Sequence, residues 1–327
     1  IEGLCNTAKI GNVILLSQWV NRQRRAFFIL FVIVSGYSLA PLHAQTSEEK
    51  PPSWYQNYQQ DVAKRARTLN LPGFAMVFFQ VGEGHYIYTQ GRTHRNGPAV
   101  EPDTVFRLAS VSKTFTGVLM AKVVDLQQLQ WQTQLVQLVE EPTFASQYTN
   151  QLQLEHLIGQ SSGYMPNAYD NLIEADYPVK RVLNQLADLE PLCSPGSCYT
   201  YQNALFGTLE SYFSNQNTSF HRELQTHIFS PLTMQQASAG KGALMASDNW
   251  ARPHIAVAKD RWREGKVESN YYRFAPAAGV NASIEDMAIW LQAMLGQHPK
   301  AINDTVIAEV TKPRVRTKRE TYRRGWR

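Results

Sequence analysis

The sequence predicts an α+β fold, because strand patterns early in the chain are followed by a long helical region. Residues 74–81 are typical of a buried strand and residues 85–89 of a second strand, and the turn at residues 82–84 between them indicates an antiparallel hairpin. No regular series of alternating strands and helices appears, so the pattern does not favour a doubly wound parallel sheet. With 327 residues, 43% of them hydrophobic, the chain is long enough to bury a large core.

The first 44 residues have the organisation of a secretory signal. Arginines up to Arg25 precede an apolar run over residues 26–40, and small residues up to Ala44 offer a cleavage site. The run is shorter than the roughly 20 residues of a membrane-spanning helix. We therefore expect cleavage near Ala44 and a periplasmic or secreted protein whose only membrane contact is the signal segment. An uncleaved signal-anchor is the alternative. Because the chain begins with Ile1, we expect either a fragment or a start assigned too far upstream.

After the signal, a polar linker over residues 45–53 leads into one domain over residues 54–327. Trp262 and Tyr271 lie on either side of Gly265 in a segment that indicates a loop or a hairpin. Helical periodicity predicts helices over residues 54–69, 110–127, 152–159, 178–189, 204–214, 219–229, 284–296 and 302–310.

Charge and cysteine content narrow the class of protein. Residues 45–311 carry a net charge of −5 while the tail over residues 312–327 carries +7, so no basic face runs through the domain and nucleic-acid binding is excluded. Cys193 and Cys198 bracket a Ser-Pro-Gly-Ser turn, and export favours a local disulfide, with two free thiols as the alternative. The histidines show no metal-ligand spacing, so we expect no metal and no cofactor.

Ser110 and Lys113 open the predicted helix over residues 110–127. A spacing of three residues places both side chains on one helical face, one turn apart. A serine hydroxyl is a weak nucleophile until a base takes its proton, and a lysine whose pKa is lowered by burial and nearby cations can be that base. The same spacing follows Ser47 and Ser238, but neither starts an apolar-periodic helix. A capping serine on a core helix is the alternative for Ser110.

Tyr201 and Asn203 form a second candidate element, which follows Pro195-Gly196 and precedes the predicted helix over residues 204–214. A phenol at this position can share a proton with Ser110 or Lys113 if cations lower its pKa from about 10. The amide of Asn203 can donate a hydrogen bond to a substrate. A turn residue with a stacked phenol is the alternative.

A rival motif lies at residues 159–163, where GQSSG matches the G-x-S-x-G nucleophile elbow. That elbow requires a strand before it and a helix after it. The preceding leucines suit a helix better than a strand, and Pro166 prevents a helix from continuing. We therefore predict a helix C-terminus and a loop here, with Gly159 or Gly163 in a cap.

Residues 110–117, SVSKTFTG, resemble the active-site segment of the class C serine β-lactamases and their penicillin-binding, esterase and D-aminopeptidase relatives. Similar segments follow in the order of that family: LEHLIGQSSG at 154–163, the tyrosine motif at 195–207, AGVNAS at 278–283 and YRRGW at 322–326. The resemblance covers about residues 54–327. It implies a β-lactamase/transpeptidase-like fold, with an antiparallel sheet flanked by helices beside an all-helical region and the site between them.

The resemblance also implies roles for single residues. Ser110 matches the acylated nucleophile and Lys113 the proton acceptor paired with it. Tyr201 matches the phenol that moves protons during acylation and deacylation. Asn203 matches the amide that orients both the substrate and the lysine, and Asn167 is a candidate for a further substrate-binding amide.

The family's third motif, Lys-Thr-Gly or a histidine variant on a late strand, is absent from the 327 residues. The resemblance therefore implies a C-terminally truncated chain that lacks its last strands and one oxyanion-hole N–H. We expect such a chain to be inactive and poorly folded, although its parent is an enzyme.

Two classes of function are consistent with these residues. The first is a covalent serine hydrolase, with β-lactam hydrolysis ahead of ester or D-Ala-peptide hydrolysis because SVSKTFTG is close to the class C form. The second is a non-catalytic, exported penicillin-binding-like protein. The expected partner is a small-molecule β-lactam, ester or D-peptide, and we expect a monomer.

Export makes a testable prediction about the mature N-terminus. If the signal is cleaved after Ala44, N-terminal sequencing of protein from the periplasm or medium should begin at Gln45. Recovery of an intact segment over residues 26–40 in the membrane fraction would instead show a signal-anchor.

Overall fold

The computed structural model describes residues 51–80, 84–139, 148–316 and 321–322. They belong to a unit that runs from Lys50 to Arg327. The predicted signal over residues 1–44, the linker up to residue 50, most of the turn at 82–84 and residues 323–326 of YRRGW lie outside the described residues. Within the described parts, no helix is both long and apolar enough to cross a membrane.

Most of the described chain is helical. The α-helices are α1 Ser53–Thr68, α2 Ser112–Asp125, α3 Leu154–Ile158, α4 Asp170–Glu174, α5 Val179–Ala187, α6 Gly207–Asn215, α7 Phe220–Leu224, α8 Ser230–Leu232, α9 Lys241–Ala246, α10 Ala275–Ala278, α11 Ile284–Met294 and α12 Asp304–Thr311. Short 3₁₀ turns are Ala109–Val111, Leu135–Leu138, Thr149–Gln151, Ala204–Phe206 and Asn270–Phe274, and Gln225–Phe229 is a π turn.

The strands form small antiparallel sheets. They are β1 Gly73–Gln80, β2 Gly84–Gly91, β3 Phe106–Arg107, β4 Ser238–Ala239, β5 His254–Ala258, β6 Arg261–Glu264, β7 Val280–Ala282, β8 Val315–Arg316 and β9 Thr321–Tyr322. β1 pairs with β2, β5 with β6 and β8 with β9, while β7 lies between β3 and β4. Helices and antiparallel sheets together confirm the predicted α+β class.

The hairpin of β1 and β2 is covered by helices from both ends of the described chain. α11 packs against β1. On α1, the Trp54 ring lies 4.6 Å from the Phe78 ring, and the Tyr55 ring lies 4.8 Å from the Tyr86 ring. A two-stranded hairpin is marginal by itself, so these helices supply the apolar surface that it needs.

The centre of the core lies between α2 and α11. The Phe115 ring stacks on the Trp290 ring with 4.0 Å between centroids and meets the Phe229 ring edge-on. α11 starts in a fixed place because Ser283 caps it: its hydroxyl accepts from the backbone of Asp286, whose carboxylate accepts in return from the backbone of Ser283. This packing fixes α2, the helix that follows the candidate nucleophile.

Several predicted element boundaries need correction. The helix predicted over residues 110–127 begins at Ser112, and Ser110 lies in the preceding 3₁₀ turn. Apart from the segment around Trp262, which lies in β6 of a hairpin with β5, the sequence showed little sign of strands after the helical region. Yet β4, β7, β8 and β9 lie there, because strands of two or three residues are too short to show alternation. Lys241, three residues after Ser238, begins α9.

The stacked core predicts the effect of removing Trp290. Truncation to alanine leaves a cavity against Phe115, so Trp290→Ala should lower the free energy of unfolding by about 3–5 kcal/mol, measured by urea denaturation. The matched control is Trp262→Ala, because Trp262 is 39% exposed and loses one hydrogen bond from its indole to Leu69 O, worth about 1 kcal/mol. Equal losses for the two variants would contradict this description of the core.

Candidate active site

Ser110 lies on an exposed turn that joins β3 to α2. The turn is tied to β7 on both sides, because Leu108 N donates to Val280 O and Val280 N donates to Ser112 Oγ, each at 2.9 Å. Ser112 Oγ in turn donates to Ala109 O at 2.6 Å. Ala109 has a φ of +46°, a conformation that an L-residue adopts only where its surroundings hold it. The nucleophile candidate is therefore presented to solvent on a turn that cannot relax freely.

Lys113 lies one helical turn below Ser110 and is buried, with 4% of its surface exposed. Its Nζ donates to Asn203 Oδ1 at 2.7 Å and to Ala277 O at 2.9 Å, and it lies 3.4 Å from Ser110 Oγ. Burial disfavours the charged ammonium and lowers the pKa of Lys113 to about 7, although the carboxylate of Asp170 acts in the opposite direction. Close to neutral pH, a large fraction of Lys113 is thus the free amine that can accept a proton.

Tyr201 completes the cluster from the other side. Its hydroxyl donates to Ser110 Oγ at 2.6 Å, and Lys113 Nζ lies 4.7 Å from the centre of its ring. Burial raises the pKa of Tyr201, the bond to Ser110 opposes the shift, and the charge of Asp170 adds to it. The possibility that cations lower this pKa is therefore wrong for the free protein. Tyr201 is a protonated phenol that donates a hydrogen bond.

Two neighbouring chain segments hold Tyr201 in place. Its carbonyl accepts from Asn167 N at 2.8 Å. Gln160 bonds both flanking residues, since its carbonyl accepts from Thr200 N at 2.8 Å and its Oε1 accepts from Gln202 N at 2.7 Å. A Cys193–Cys198 disulfide closes the turn just before this segment, which resolves the two alternatives for that pair in favour of the bridge.

The two predicted substrate-binding amides lie in different environments. Asn203 is 6% exposed, and its amide already bonds within the protein, with Oδ1 accepting from Lys113 and Nδ2 donating to Asp170 Oδ2 at 2.8 Å. The Asn203 amide is therefore in contact with Lys113, and its role in orienting the lysine and the substrate stays a prediction. Asn167 is exposed and has a φ of +58°, and its backbone N–H is the group that holds Tyr201.

Asp170 is the site residue that sequence reasoning missed. It is the first residue of α4 and directly follows Tyr169. Its contact with Asn203 joins residues 33 positions apart. No local motif marks it, because the contact depends on the path of the loop between α3 and α4.

The rival motif at residues 159–163 does not form a nucleophile elbow. α3 ends at Ile158 and Gly159 is its C-terminal cap, as predicted. Ser161 is buried, its backbone N–H donates to His156 O, and it pairs with Thr200 in an isolated parallel bridge. A strand does not precede this serine and a helix does not follow it directly, so its hydroxyl is not presented as a nucleophile.

The cluster of Ser110, Lys113 and Tyr201 has the parts of covalent serine catalysis. An exposed hydroxyl has a free amine on one side and a phenol donor on the other, so one group can take its proton while the other supplies one. The backbone N–H of Ser110 lies at the N-terminal end of α2, where the helix dipole favours a developing oxyanion. Within the described residues, no group of three or more His, Cys, Asp or Glu side chains could hold a metal ion.

Comparison with known proteins points to one family. The family model described as Beta-lactamase matches residues 58–327. The chain is 28% identical to a protein named Beta-lactamase from Escherichia coli (strain K12) over 247 residues, which are 73% of this chain and 60% of that protein. It is 30% identical to a D-aminopeptidase from Gluconobacter oxydans (strain 621H) over 207 residues, which are 58% of this chain and 35% of that protein. The chain therefore spans 60% or less of the length of both relatives.

Solved structures show the same fold. A class C β-lactamase from Rhodobacter sphaeroides is similar with a TM-score of 0.69 at 21% identity, over 82% of this chain and 74% of that one. The octameric penicillin-binding protein homologue from Pyrococcus abyssi is similar with a TM-score of 0.72 at 17% identity, over 83% of this chain and 64% of that one. Sequence identity at this level supports conclusions about the fold alone. The structural similarity confirms the predicted β-lactamase/transpeptidase-like fold.

The environment of Lys113 predicts how the reactivity of Ser110 depends on pH. Because protonated Lys113 cannot accept a proton, the rate at which a fluorophosphonate labels Ser110 should fall as pH decreases through about 7. Lys113→Ala should slow labelling by about 10²-fold or more.

The matched control for this prediction is Lys122→Ala. Lys122 lies on the same helix, and burial lowers its pKa as well, but its Nζ donates to Ala301 O away from the cluster. A rate that does not depend on pH near 7, or an equal loss in both lysine variants, would remove Lys113 from the mechanism.

Proposed function

Because this chain belongs to the β-lactamase family, we propose that it is a serine hydrolase that forms an acyl-enzyme on Ser110, with β-lactams as the leading substrates. The observation that carries the proposal is the pairing of Ser110 Oγ with a buried lysine whose pKa is about 7 and with a phenol that donates at 2.6 Å. Similarity of SVSKTFTG to the class C active-site segment favours β-lactams among the acyl donors of this family.

The geometry supports a division of labour in acylation. Ser110 Oγ attacks the carbonyl carbon of the substrate, and the hydroxyl proton passes to the free amine of Lys113. The carbonyl oxygen becomes an oxyanion beside the Ser110 backbone N–H. When the bond to the leaving nitrogen or oxygen breaks, Tyr201 is placed to donate a proton to it and to recover one from Lys113.

Deacylation uses the same groups in the opposite direction. A water molecule attacks the acyl carbon and gives its proton to the base that acylation regenerated, and Ser110 Oγ leaves with a proton. Ser110 is exposed at the surface, so water has access to the acylated carbon.

A specific observation favours D-peptide hydrolysis as the second candidate. The relative with 30% identity is named D-aminopeptidase, although it aligns with only 58% of this chain. A comparison of kcat/KM for a chromogenic cephalosporin and for D-alanine p-nitroanilide decides between the two. A larger kcat/KM for the cephalosporin supports β-lactam hydrolysis, and a larger kcat/KM for the anilide supports D-peptide hydrolysis.

We further propose that the 327 residues turn over substrate poorly by themselves. They contain no Lys-Thr-Gly or His-Thr-Gly, the motif that lines the site in relatives of this kind. Loss of one oxyanion-hole donor costs about 10²–10³ in rate. A protein that acylates but does not turn over would be the non-catalytic, penicillin-binding-like alternative.

We also propose that the protein is exported into the periplasm or the medium and that it is a monomer.

Covalent labelling tests the nucleophile directly. A fluorescent penicillin should label the wild-type chain on the peptide that contains Ser110, as located by mass spectrometry, and Ser110→Ala should abolish the label because Oγ is the atom that bonds to the acyl carbon. Ser161→Ala is the matched control, since Ser161 belongs to the rival motif and is buried, and it should keep the label. Loss of the label in Ser161→Ala alone would move the nucleophile to residue 161.

A further inference from the structure

Asp170 brings a carboxylate to the buried side of the catalytic cluster. Its Oδ2 accepts from Asn203 Nδ2 at 2.8 Å, and the other end of the same amide accepts from Lys113 Nζ at 2.7 Å. Burial raises the pKa of Asp170. A carboxylate that loses water in this way is costly, so its position beside the amide that contacts the base calls for an explanation.

We propose that Asp170 is a positioning residue of the active site, whose carboxylate holds the Asn203 amide with Oδ1 directed at Lys113 Nζ. The inference rests on the proposed serine-hydrolase function. Through Asp170, α4 then helps to keep Lys113 available as a base.

Donor and acceptor chemistry explains why a carboxylate is suited to this position. A carboxylate only accepts hydrogen bonds and an ammonium only donates them. While Lys113 is protonated, both neighbours of the Asn203 amide therefore enforce one orientation. A flipped amide would place an NH₂ group against the ammonium and an oxygen against the carboxylate.

When Lys113 is the neutral amine, it no longer enforces one orientation of the Asn203 amide. A neutral amine carries a lone pair, so Lys113 could then accept a hydrogen bond from a flipped Asn203 amide. That lone pair is the one that must take the proton of Ser110. Only Asp170 opposes the flip in this form, and it thereby keeps the lone pair available at the moment when Lys113 acts as a base.

A purely structural role makes a different prediction. Asp170 opens α4, where a negative charge favours the helix, and loss of that effect lowers stability alone. A positioning role also changes the electrostatics of the base, because the charge of Asp170 raises the pKa of Lys113. The other titratable groups that face Asp170 are Tyr201, Tyr271 and Glu174.

The experiment measures the rate of fluorophosphonate labelling of Ser110 as a function of pH. The midpoint of the profile reports the apparent pKa of Lys113, and its high-pH plateau reports the reactivity of the free-base form. Asp170→Asn should move the midpoint to lower pH, because it removes the negative charge. It should also reduce the plateau by about tenfold, because an amide at 170 can donate as well as accept and no longer fixes Asn203.

Asp176→Asn is the matched control. Asp176 lies just after α4 and pairs with Arg273 at 2.5 Å rather than with the catalytic cluster, so its variant should keep the wild-type midpoint and plateau. Wild-type values of both quantities in Asp170→Asn would overturn the inference. Absence of labelling in the wild type itself would instead count against the proposed function, so the two failures are distinguishable.

A second variant keeps the inference testable if Asp170→Asn does not fold. The exchanged pair, Asp170→Asn with Asn203→Asp, retains one carboxylate and one amide in the same two positions. Its carboxylate accepts directly from Lys113, so the midpoint should lie above that of the wild type. A midpoint at or below the wild-type value would overturn the inference without reference to the single variant.

Discussion

Burial of the Lys113 ammonium is the constraint that organises this site. An ammonium removed from water is costly unless hydrogen-bond acceptors replace the solvent. Here the acceptors are Asn203 Oδ1 and the carbonyl of Ala277, which lie 90 and 164 positions away in the chain. Lys113 can be buried only where α2, α10 and the segment after Tyr201 meet, so the fold of the helical region and the state of the base depend on each other.

Residues that are neighbours in the chain at the start of α2 differ in exposure to solvent, and the proposed site depends on both exposed and buried residues. Ser110 is open to solvent on a turn whose Ala109 has a positive φ, whereas Ser112 and Lys113 are buried. Ser112 Oγ joins the two environments, because it bonds Ala109 O on one side and Val280 N on the other. The proposed nucleophile is thus exposed on a turn whose supporting residues are buried.

The parts of the site that sequence predicts are those that local geometry determines. The spacing of Ser110 and Lys113 implies one helical face wherever the helix lies, and that relation holds in the structure. The Ser-Pro-Gly-Ser turn likewise brings Cys193 to Cys198 through local bending. Asp170 could not be found in this way, since its partner Asn203 is distant in sequence. The short strands β4 and β7 also escape prediction, because pairing between distant segments defines them rather than an alternating pattern.

A single physical effect gives the lysine and the tyrosine their different roles. Removal of water disfavours whichever form is charged, so it lowers the pKa of Lys113, whose charged form is the cation, and raises the pKa of Tyr201, whose charged form is the anion. Burial thus favours a neutral amine at Lys113 beside a neutral phenol at Tyr201, which are the proposed base and acid on either side of the Ser110 hydroxyl. A charged neighbour instead shifts the pKa values of both groups in the same direction. Negative charge from Asp170 opposes the change at Lys113 and adds to the change at Tyr201, so the difference between base and acid arises chiefly from burial.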